Sequence, residues 1–204
     1  MNNFSNYYII MRSVITLNSG WNWISFNVIN DDIGGMLINN YLNNLQEGSD
    51  GWSEGDYIKT QSTTSSYSHS SYKISELNQN WTTVTGINEI NTKTMYKIYV
   101  LNNIILEING RESYREEATK QLVGDNLWNW ISYPLSRNKM LRNMVFEENE
   151  ENIFSENDYL KSQTQYASYN NNSWKSYGNL VTLEKNKGYL MQINKETSSL
   201  EFLD

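Results

Sequence analysis

The chain has 204 residues, a formal net charge of −7 and no cysteine. The missing cysteines exclude disulfides, thiolate catalysis and cysteine-based metal sites, and the acidic balance without a basic patch argues against nucleic acid and anionic lipid as partners. No apolar stretch approaches the roughly 18 residues of a membrane span, so we expect no membrane insertion.

An N-terminal arm is the first predicted element. It covers residues 1–11 and ends in an apolar run at 7–11. Extended apolar segments of this kind can add as an extra strand to an open sheet edge of another copy. The segment 6–15 is therefore a candidate donated strand.

Strands dominate the rest of the first half of the sequence. In the segment 21–28, Trp21 and Trp23 point to one face, and the other face is also apolar, so this strand should be covered on both sides. Asn102 and Asn103 lie between two apolar runs and predict a hairpin turn. Three further segments have the composition of strands: 57–61, 95–100 and 104–108.

One segment of the first half has helical periodicity instead. Between residues 32 and 46, apolar side chains recur at the spacing of one helix face, and Asp31 or Asp32 could cap its start. These side chains are Met36 or Leu37, Tyr41, Leu42 and Leu45. The corresponding segment of the second half, 140–146, is shorter.

The second half of the chain repeats the first. The string WNWISF at 21–26 returns as WNWISY at 128–133, and DYIKTQ at 56–61 returns as DYLKSQ at 158–163. The matches continue in the same order to the end of the chain. Such self-similarity is the signature of repeated structural units.

The repeat predicts the fold class and the domain organisation. We expect a mainly β protein of two tandem homologous modules, each β-sandwich-like or barrel-like and each carrying one short helix. The predicted boundaries are residues 12–110 for the first module, 111–119 for the connector and 120–204 for the second module.

These motifs also carry a resemblance. The strings SGWNWISFNV, GDYIKTQ, NDYLKSQTQYASY, MYKI and GYLMQI resemble a tandem β-rich module of secreted and surface proteins of aquatic microbes, algae and their viruses or phages. The resemblance covers nearly the whole chain, twice. It implies an extracellular or virion-surface location and brings neither an established activity nor catalytic residues. The second copy departs from the first at Pro134, which fits only a strand end or a sheet edge.

The sequence contains little that predicts chemistry, and we expect no catalytic, cofactor-binding or metal-binding residues. His69 is the only histidine and is interpreted as a solvated loop residue. Asp56 and Asp158 recur in both copies, which favours a turn-closing role over the acid pair of a glycosidase. Asp50 and Glu54, with Asp56, are a calcium alternative, although their spacing matches no calcium loop.

Aromatic residues are the strongest signal. The structural repeat residues are Trp21, Trp23, Asp56, Trp128, Trp130 and Asp158. Other aromatics lie in Asn- and Ser-rich surroundings, where rings could stack on sugars and amides could bind hydroxyls, or where the same rings could form a protein interface. These glycan or interface candidates are Trp52, Tyr67, Tyr72, Tyr166, Tyr169 and Tyr177.

Three N-glycosylation sequons occur, at Asn3, Asn80 and Asn171. In an Asn-rich chain such motifs arise by chance. They matter only if the protein passes through a eukaryotic secretory pathway.

Three functions follow as hypotheses, and the first two are non-enzymatic and without a cofactor. The first is self-assembly into a filament or fibre, in which copies of the chain contact one another head-to-tail. The alternative is a carbohydrate-binding adhesion protein, whose partners are cell-surface glycans and whose two modules provide avidity. A glycosidase acting through Asp56 or Asp158 is the third and weakest hypothesis.

Overall fold

The computed structural model is mainly β, with several antiparallel sheets. It describes residues 10–32, 35–61, 69–74, 81–85, 89–113, 119–124, 127–143, 145–148, 151–152, 154–195, 198–200 and 202–203. Residues 10–113 are called the first half below, and residues 119–203 the second half. The predicted mainly β class is confirmed.

The first half contains a five-stranded sheet and a three-stranded sheet. Its elements are β1 (Met11–Leu17), β2 (Gly20–Ile24), β3 (Val28–Ile29), α1 (Ile38–Leu42), β4 (Tyr57–Gln61), β5 (His69–Ile74), β6 (Trp81–Thr85), β7 (Tyr96–Val100) and β8 (Ile104–Glu112). The larger sheet has the order β2-β7-β4-β5-β6 and the smaller one β1-β8-β3. All of these neighbours are antiparallel.

The second half contains a five-stranded sheet and several smaller ones. Its elements are β9 (Lys120–Leu122), β10 (Trp128–Ser132), β11 (Lys139–Met140), a 3₁₀ turn (Leu141–Asn143), β12 (Val145–Glu148), β13 (Glu151–Asn152), β14 (Tyr159–Lys161), β15 (Tyr166–Asn170), β16 (Ser173–Gly178), β17 (Thr182–Leu183), β18 (Gly188–Gln192), β19 (Ser198–Leu200) and β20 (Phe202–Leu203). The five-stranded sheet has the order β10-β18-β14-β15-β16, and the smaller sheets are β11-β17, β13-β12-β20 and β19-β9.

The repeated strings take matching places in the two five-stranded sheets. The repeated WNWI lies in the edge strand β2 of one sheet and in the edge strand β10 of the other, and the repeated YxK lies in the central strands β4 and β14. The duplication of a whole module stays a prediction, but the two sheets share their strand order.

The first half is a sandwich because its two sheets bury apolar side chains against each other. Strand β1 alternates, so that Ile15 and Leu17 point inward while their neighbours are exposed, and it pairs with β8 so that Ile15 lies opposite Leu106. Ile58 and Ile98 come from the five-stranded sheet to the same core. The second half has a core of its own around Tyr133, Leu160 and Tyr189, among others.

The predicted hairpin at Asn102 and Asn103 is wrong. Strand β7 before these residues belongs to the five-stranded sheet, and β8 after them belongs to the three-stranded sheet. The turn therefore carries the chain from one layer of the sandwich to the other.

The predicted helix is much shorter than its periodicity suggested. It covers only Ile38–Leu42, and no side chain caps its start. The residues around it form long-range backbone contacts instead: Leu37 bridges to Glu89, and the N–H of Gln46 donates to the Ile105 carbonyl of β8 at 2.8 Å. These long-range backbone bonds replace helix propagation, which a short segment cannot sustain by itself.

The helix expected at 140–146 is divided between other elements. Met140 ends β11, a 3₁₀ turn follows, and Val145 already begins β12. Asp31 also has a different role from the predicted cap, because it forms an ion pair with Arg111 at 2.6 Å.

Strand β1 begins at Met11, the last residue of the predicted N-terminal arm. Met11 already pairs with Gly110, and the whole of β1 is bonded to β8 of the same chain. Residues 11–15 are thus occupied within the chain and are not available for donation to another copy, whereas residues 1–9 lie outside the described part. Arg111 and Glu112, predicted to lie in the connector, belong to β8 and pair with β3.

Candidate functional site

Two glutamines seal the edge strands where the two halves meet. The Gln61 amide donates to the Trp128 carbonyl at 2.8 Å and accepts from the Trp130 N–H at 2.8 Å. The side chain behaves like an additional peptide group of a neighbouring strand and satisfies backbone groups on the edge of β10.

Gln163 of the second half satisfies backbone groups on the edge of β2 in the first half in the same way. Its amide donates to the Trp21 carbonyl at 2.7 Å and accepts from the Trp23 N–H at 3.2 Å. Gln61 and Gln163 both end the repeated DYxKxQ string, so each half covers the edge of the other with the same residue. The contact is reciprocal, as in a two-fold symmetric interface.

An apolar cluster and further hydrogen bonds join the halves beside these glutamines. Met95, Trp130 and Leu190 are buried together, and Trp23 and Trp128 pack against them. Further polar contacts are Ser25 Oγ to the Lys187 carbonyl at 2.8 Å, Thr94 Oγ1 to the Trp130 carbonyl at 3.0 Å, and Ser132 Oγ to the Thr92 carbonyl. We call this contact region the junction.

Lysines stand over the tryptophan rings at the junction. Lys97 Nζ lies 4.2 Å from the centre of the Trp23 ring and 4.3 Å from that of Trp130, so it bridges the halves. Burial lowers the pKa of Lys97 to about 8, and the charges of Lys59 and Lys161 act in the same direction. The lysine–tryptophan cluster consists of Lys59, Lys97, Lys161, Trp21, Trp23, Trp128 and Trp130.

A cleft of about 480 Å³ opens at the junction. One wall is formed by Trp21 and Trp23 of β2, and the other by the turn after β14 and the segment 180–189 of the second half. Trp21 is 42% exposed. Polar side chains supply much of the remaining lining: Asn18, Asn22, Gln163, Gln165, Glu184 and Lys187.

The exposed tryptophan of this cleft is held in place by its neighbours. Its ring centre lies 5.5 Å from that of Tyr99 and 6.2 Å from that of Tyr57, both in edge-on geometry. The register of the sheet explains this row, since Trp21 and Tyr57 both lie opposite Tyr99. Trp21, one of the predicted structural repeat residues, also lines the cleft.

Four of the six aromatic candidates have described side chains, and two of these four are structural. Tyr169 is only 7% exposed and packs on Phe154 and Trp174 at 5.5 Å each. Trp52 is partly buried against the first core, and its Nε1 donates to the Leu42 carbonyl at 2.8 Å. Neither ring is therefore a free platform for a sugar.

The other aromatic candidates are exposed or lie outside the described side chains. Tyr166 is 46% exposed and Tyr177 is 66% exposed, but neither lines the cleft. The side chain of Tyr72 in β5 and the whole of Tyr67 fall outside the described part.

Asp56 and Asp158 both close turns with their carboxylates. Asp56 accepts from the N–H of Ser53 and the N–H of Leu101, both at 2.8 Å. Asp158 accepts from the N–H of Ser155 and the N–H of Asn194, also at 2.8 Å. Both are fully buried. The pattern is that of the turn-closing interpretation.

The environment of Asp158 combines opposing influences. Burial raises the pKa of its carboxyl above the ordinary value, while the donated backbone hydrogen bonds and the nearby Lys195 act to lower it. Because both oxygens of Asp56 and of Asp158 already accept backbone N–H groups, neither carboxylate is positioned to act on a ligand.

The middle asparagine of each WNW string is a structural residue that sequence reasoning missed. Asn22 donates to the Asn18 carbonyl at 2.7 Å and accepts from the Asn18 N–H at 3.0 Å. Asn129 does the same with Val123, at 2.8 Å for both bonds. Each asparagine thereby fixes the loop that leads into its strand, and its exact repetition was the available signal.

The remaining predicted residues provide no second site. Asn171 is exposed in a turn with a φ of 51°, whereas Asn3 and Asn80 lie outside the described residues, as does the side chain of His69. In the described part of the chain, no group of three or more His, Asp or Glu is placed to hold a metal ion. Among the same residues, no helix has the length and apolarity to cross a membrane.

Comparisons with known proteins found no match to this chain. No family model matches the chain, and neither a curated protein nor a solved structure matches it.

Proposed function

We propose that this chain is a non-enzymatic carbohydrate-binding protein of a cell or virion surface, and that it binds glycan in the cleft at the junction. The observation that carries the proposal is the exposed Trp21 in a cleft otherwise rich in amides. The volume of about 480 Å³ falls within the range of about 300–1,000 Å³ that is typical of ligand pockets.

The chemistry of the lining suits a sugar. A pyranose ring has a C–H face, for which an indole provides a large apolar surface, and a rim of hydroxyl groups. Gln165 and Asn18 line the cleft, and their amides both donate and accept hydrogen bonds. Glu184 adds an acceptor and Lys187 a donor, so that a sugar hydroxyl finds a partner whether it donates or accepts a hydrogen bond.

Pre-organisation favours binding at this place. Trp21 is held edge-on by Tyr57 and Tyr99, and the backbone behind it is fixed by Gln163. A ring that is already ordered loses little conformational freedom when a ligand stacks on it.

The composition of the cleft favours binding over hydrolysis. Glycoside hydrolysis uses two carboxyl groups on either side of the scissile bond. Among the described residues that line the cleft, Glu184 is the one carboxylate, which supports a non-enzymatic role.

A glycan array followed by titration of tryptophan fluorescence tests the proposal. We expect saturable binding of at least one glycan and a loss of about tenfold or more in affinity in Trp21→Ala, equivalent to about 1.4 kcal/mol. Tyr177→Ala is the matched control, because this ring is exposed but lies outside the cleft. Unchanged affinity in Trp21→Ala, or no binding to any glycan, would contradict the proposal.

Self-assembly remains the second candidate, and a specific strand favours it. Strand β16 is the outer member of its sheet and has β15 as its one neighbour there among the described strands. An open edge of this kind can accept a strand from another copy. Electron microscopy of the protein used for the titrations distinguishes the two candidates, because filaments would form without any glycan.

A further inference from the structure

We infer that the lysine–tryptophan cluster binds an acidic group of the glycan, namely a carboxylate of a uronic acid or a sulfate ester. This inference rests on the proposed carbohydrate binding and specifies the class of sugar. It is drawn from the convergence of three ammonium groups and four indole rings at one place in the fold.

The three lysines come from both halves of an acidic protein. Lys59 and Lys97 lie opposite each other in neighbouring strands of the first sheet, and Lys161 belongs to β14 of the second. Each ammonium group lies within 4.9 Å of the centre of a tryptophan ring. A chain with a net charge of −7 therefore gathers positive charge at its junction.

No acidic side chain of the described residues neutralises this charge. Ion pairs join Arg12 to Glu107 at 2.7 Å and Arg111 to Asp31 at 2.6 Å, and neither of these two pairs involves a lysine of the cluster. The indole faces attract the ammonium groups, but they carry no negative charge. The three lysines are also partly exposed, so an anion can reach them.

Like charges repel, and the junction keeps them together without a counter-charge. The lowered pKa of Lys97, caused first by burial and then by Lys59 and Lys161, records that repulsion. An anion bound among the three ammonium groups would offset the repulsion between the lysines and would raise the pKa of Lys97.

The cluster shares two tryptophan rings with the proposed sugar site, although none of its three lysines lines the cleft itself. Trp21 and Trp23 line the cleft, and the same two rings carry Lys59 and Lys97. A ligand stacked on these indoles would have its acidic substituent close to the lysines. This shared wall is the reason for choosing an acidic sugar over a free anion.

The alternative interpretation is purely structural, in which the lysines only pack on the rings and hold the halves together. The test must therefore separate charge recognition from packing. The ligands are uronate and sulfated oligosaccharides, each paired with its methyl-esterified or desulfated counterpart, and inorganic sulfate is measured alongside them. Calorimetric titration of the full chain measures their affinities.

We expect the wild-type protein to prefer the charged member of a pair by about tenfold at low salt, and the preference to shrink as salt is added. Lys59→Gln and Lys161→Gln should lose the preference, Lys161→Arg should retain it, and Lys175→Gln on the exposed face of β16 is the matched control. Nuclear magnetic resonance should show the pKa of Lys97 rising when the charged ligand binds, which packing alone would not produce.

The outcomes are distinguishable. Equal affinity for the charged and neutral members of each pair overturns the acidic-sugar inference and leaves the proposed carbohydrate binding intact. Binding of inorganic sulfate alone also overturns the inference, because it shows an anion site without sugar. Absence of binding to every oligosaccharide overturns the inference and the proposed function together.

Discussion

The turn before β4 in the first half and the turn before β14 in the second are closed in the same way. In each, one buried aspartate accepts two backbone N–H groups at 2.8 Å, one three residues before it and one from a distant loop. In each half, too, a glutamine covers the edge strand of the other half. Positions that are the same in both halves hold the backbone.

The halves differ where they face each other. Lys97 follows Tyr96 in β7, whereas Leu190 follows the matching Tyr189 in β18 and is buried at the junction. Lys120 in β9 pairs with Leu200, at the place where Ile15 of β1 pairs with Leu106. At each of these two positions one half therefore has a lysine and the other an apolar side chain. Within the lysine–tryptophan cluster Lys97 is the one divergent position, because Lys59 and Lys161 occupy the same place in the repeated DYxK string and the four tryptophans belong to the repeated WNW string.

The largest expected effect concerns the feature that the halves share. Asp56→Asn and Asp158→Asn should each lower the free energy of unfolding by about 2–4 kcal/mol, because an amide cannot accept both buried N–H groups. Urea denaturation measures the change, with the exposed Asp50→Asn as control. A loss well under about 1 kcal/mol in one half would show that the two turns are not equivalent.

The next effect concerns Lys120 of the second half, whose counterpart in the first half is Ile15. Lys120 donates to Thr94 Oγ1 at 3.3 Å and also to the Trp130 carbonyl, and burial lowers its pKa to about 7. An exposed lysine has a pKa of about 10.4, so between about pH 7.5 and pH 9.5 the unfolded chain carries a proton that the folded chain lacks. This group therefore makes the free energy of unfolding rise with pH, by about 1.4 kcal/mol per pH unit.

Lys120→Met should remove that rise and should stabilise the protein most at the lower end of the range. Urea denaturation at several pH values gives the slope for each protein. Lys185→Met, in an exposed turn, should keep the wild-type slope. If Lys120→Met keeps it as well, Lys120 is ionised in the folded state and the difference between the halves is not electrostatic.

The smallest effect compares the two glutamines. Gln61 is 3% exposed and Gln163 is exposed, so Gln61→Ala leaves buried backbone groups unpaired while water can replace Gln163. We expect a loss of about 2 kcal/mol for Gln61→Ala and under about 1 kcal/mol for Gln163→Ala. Hydrogen exchange should show faster exchange of the Trp130 amide in Gln61→Ala. Equal losses of unfolding free energy in the two variants would show that the two glutamines contribute equally despite their different burial.

Several strands were predictable because their signal is local. The segment 57–61 was predicted from its composition and is β4 with the same bounds, and 104–108 lies within β8. The helix at 32–46 was overestimated because Leu37 and Gln46 form backbone contacts with the distant residues Glu89 and Ile105, and periodicity alone contains no information about such partners.

The candidate site was predicted less well. Tyr169 and Trp52 look like loop aromatics in the sequence but are packed against buried neighbours. Trp21 looks like a repeated structural residue but is exposed in the cleft. Repetition marks Gln61, Gln163 and the tryptophans that form the junction, but it does not show which tryptophan is exposed there.

The sequence by itself determined a mainly β chain with repeated strings, because side-chain alternation and turn chemistry act over a few residues. The tertiary structure alone decided which strand edges are covered, which tryptophan faces solvent and where the lysines converge. The physical reason is distance along the chain: Gln61 binds the backbone of Trp130, and Gln163 that of Trp23, through contacts that exist only after the sheets have come together.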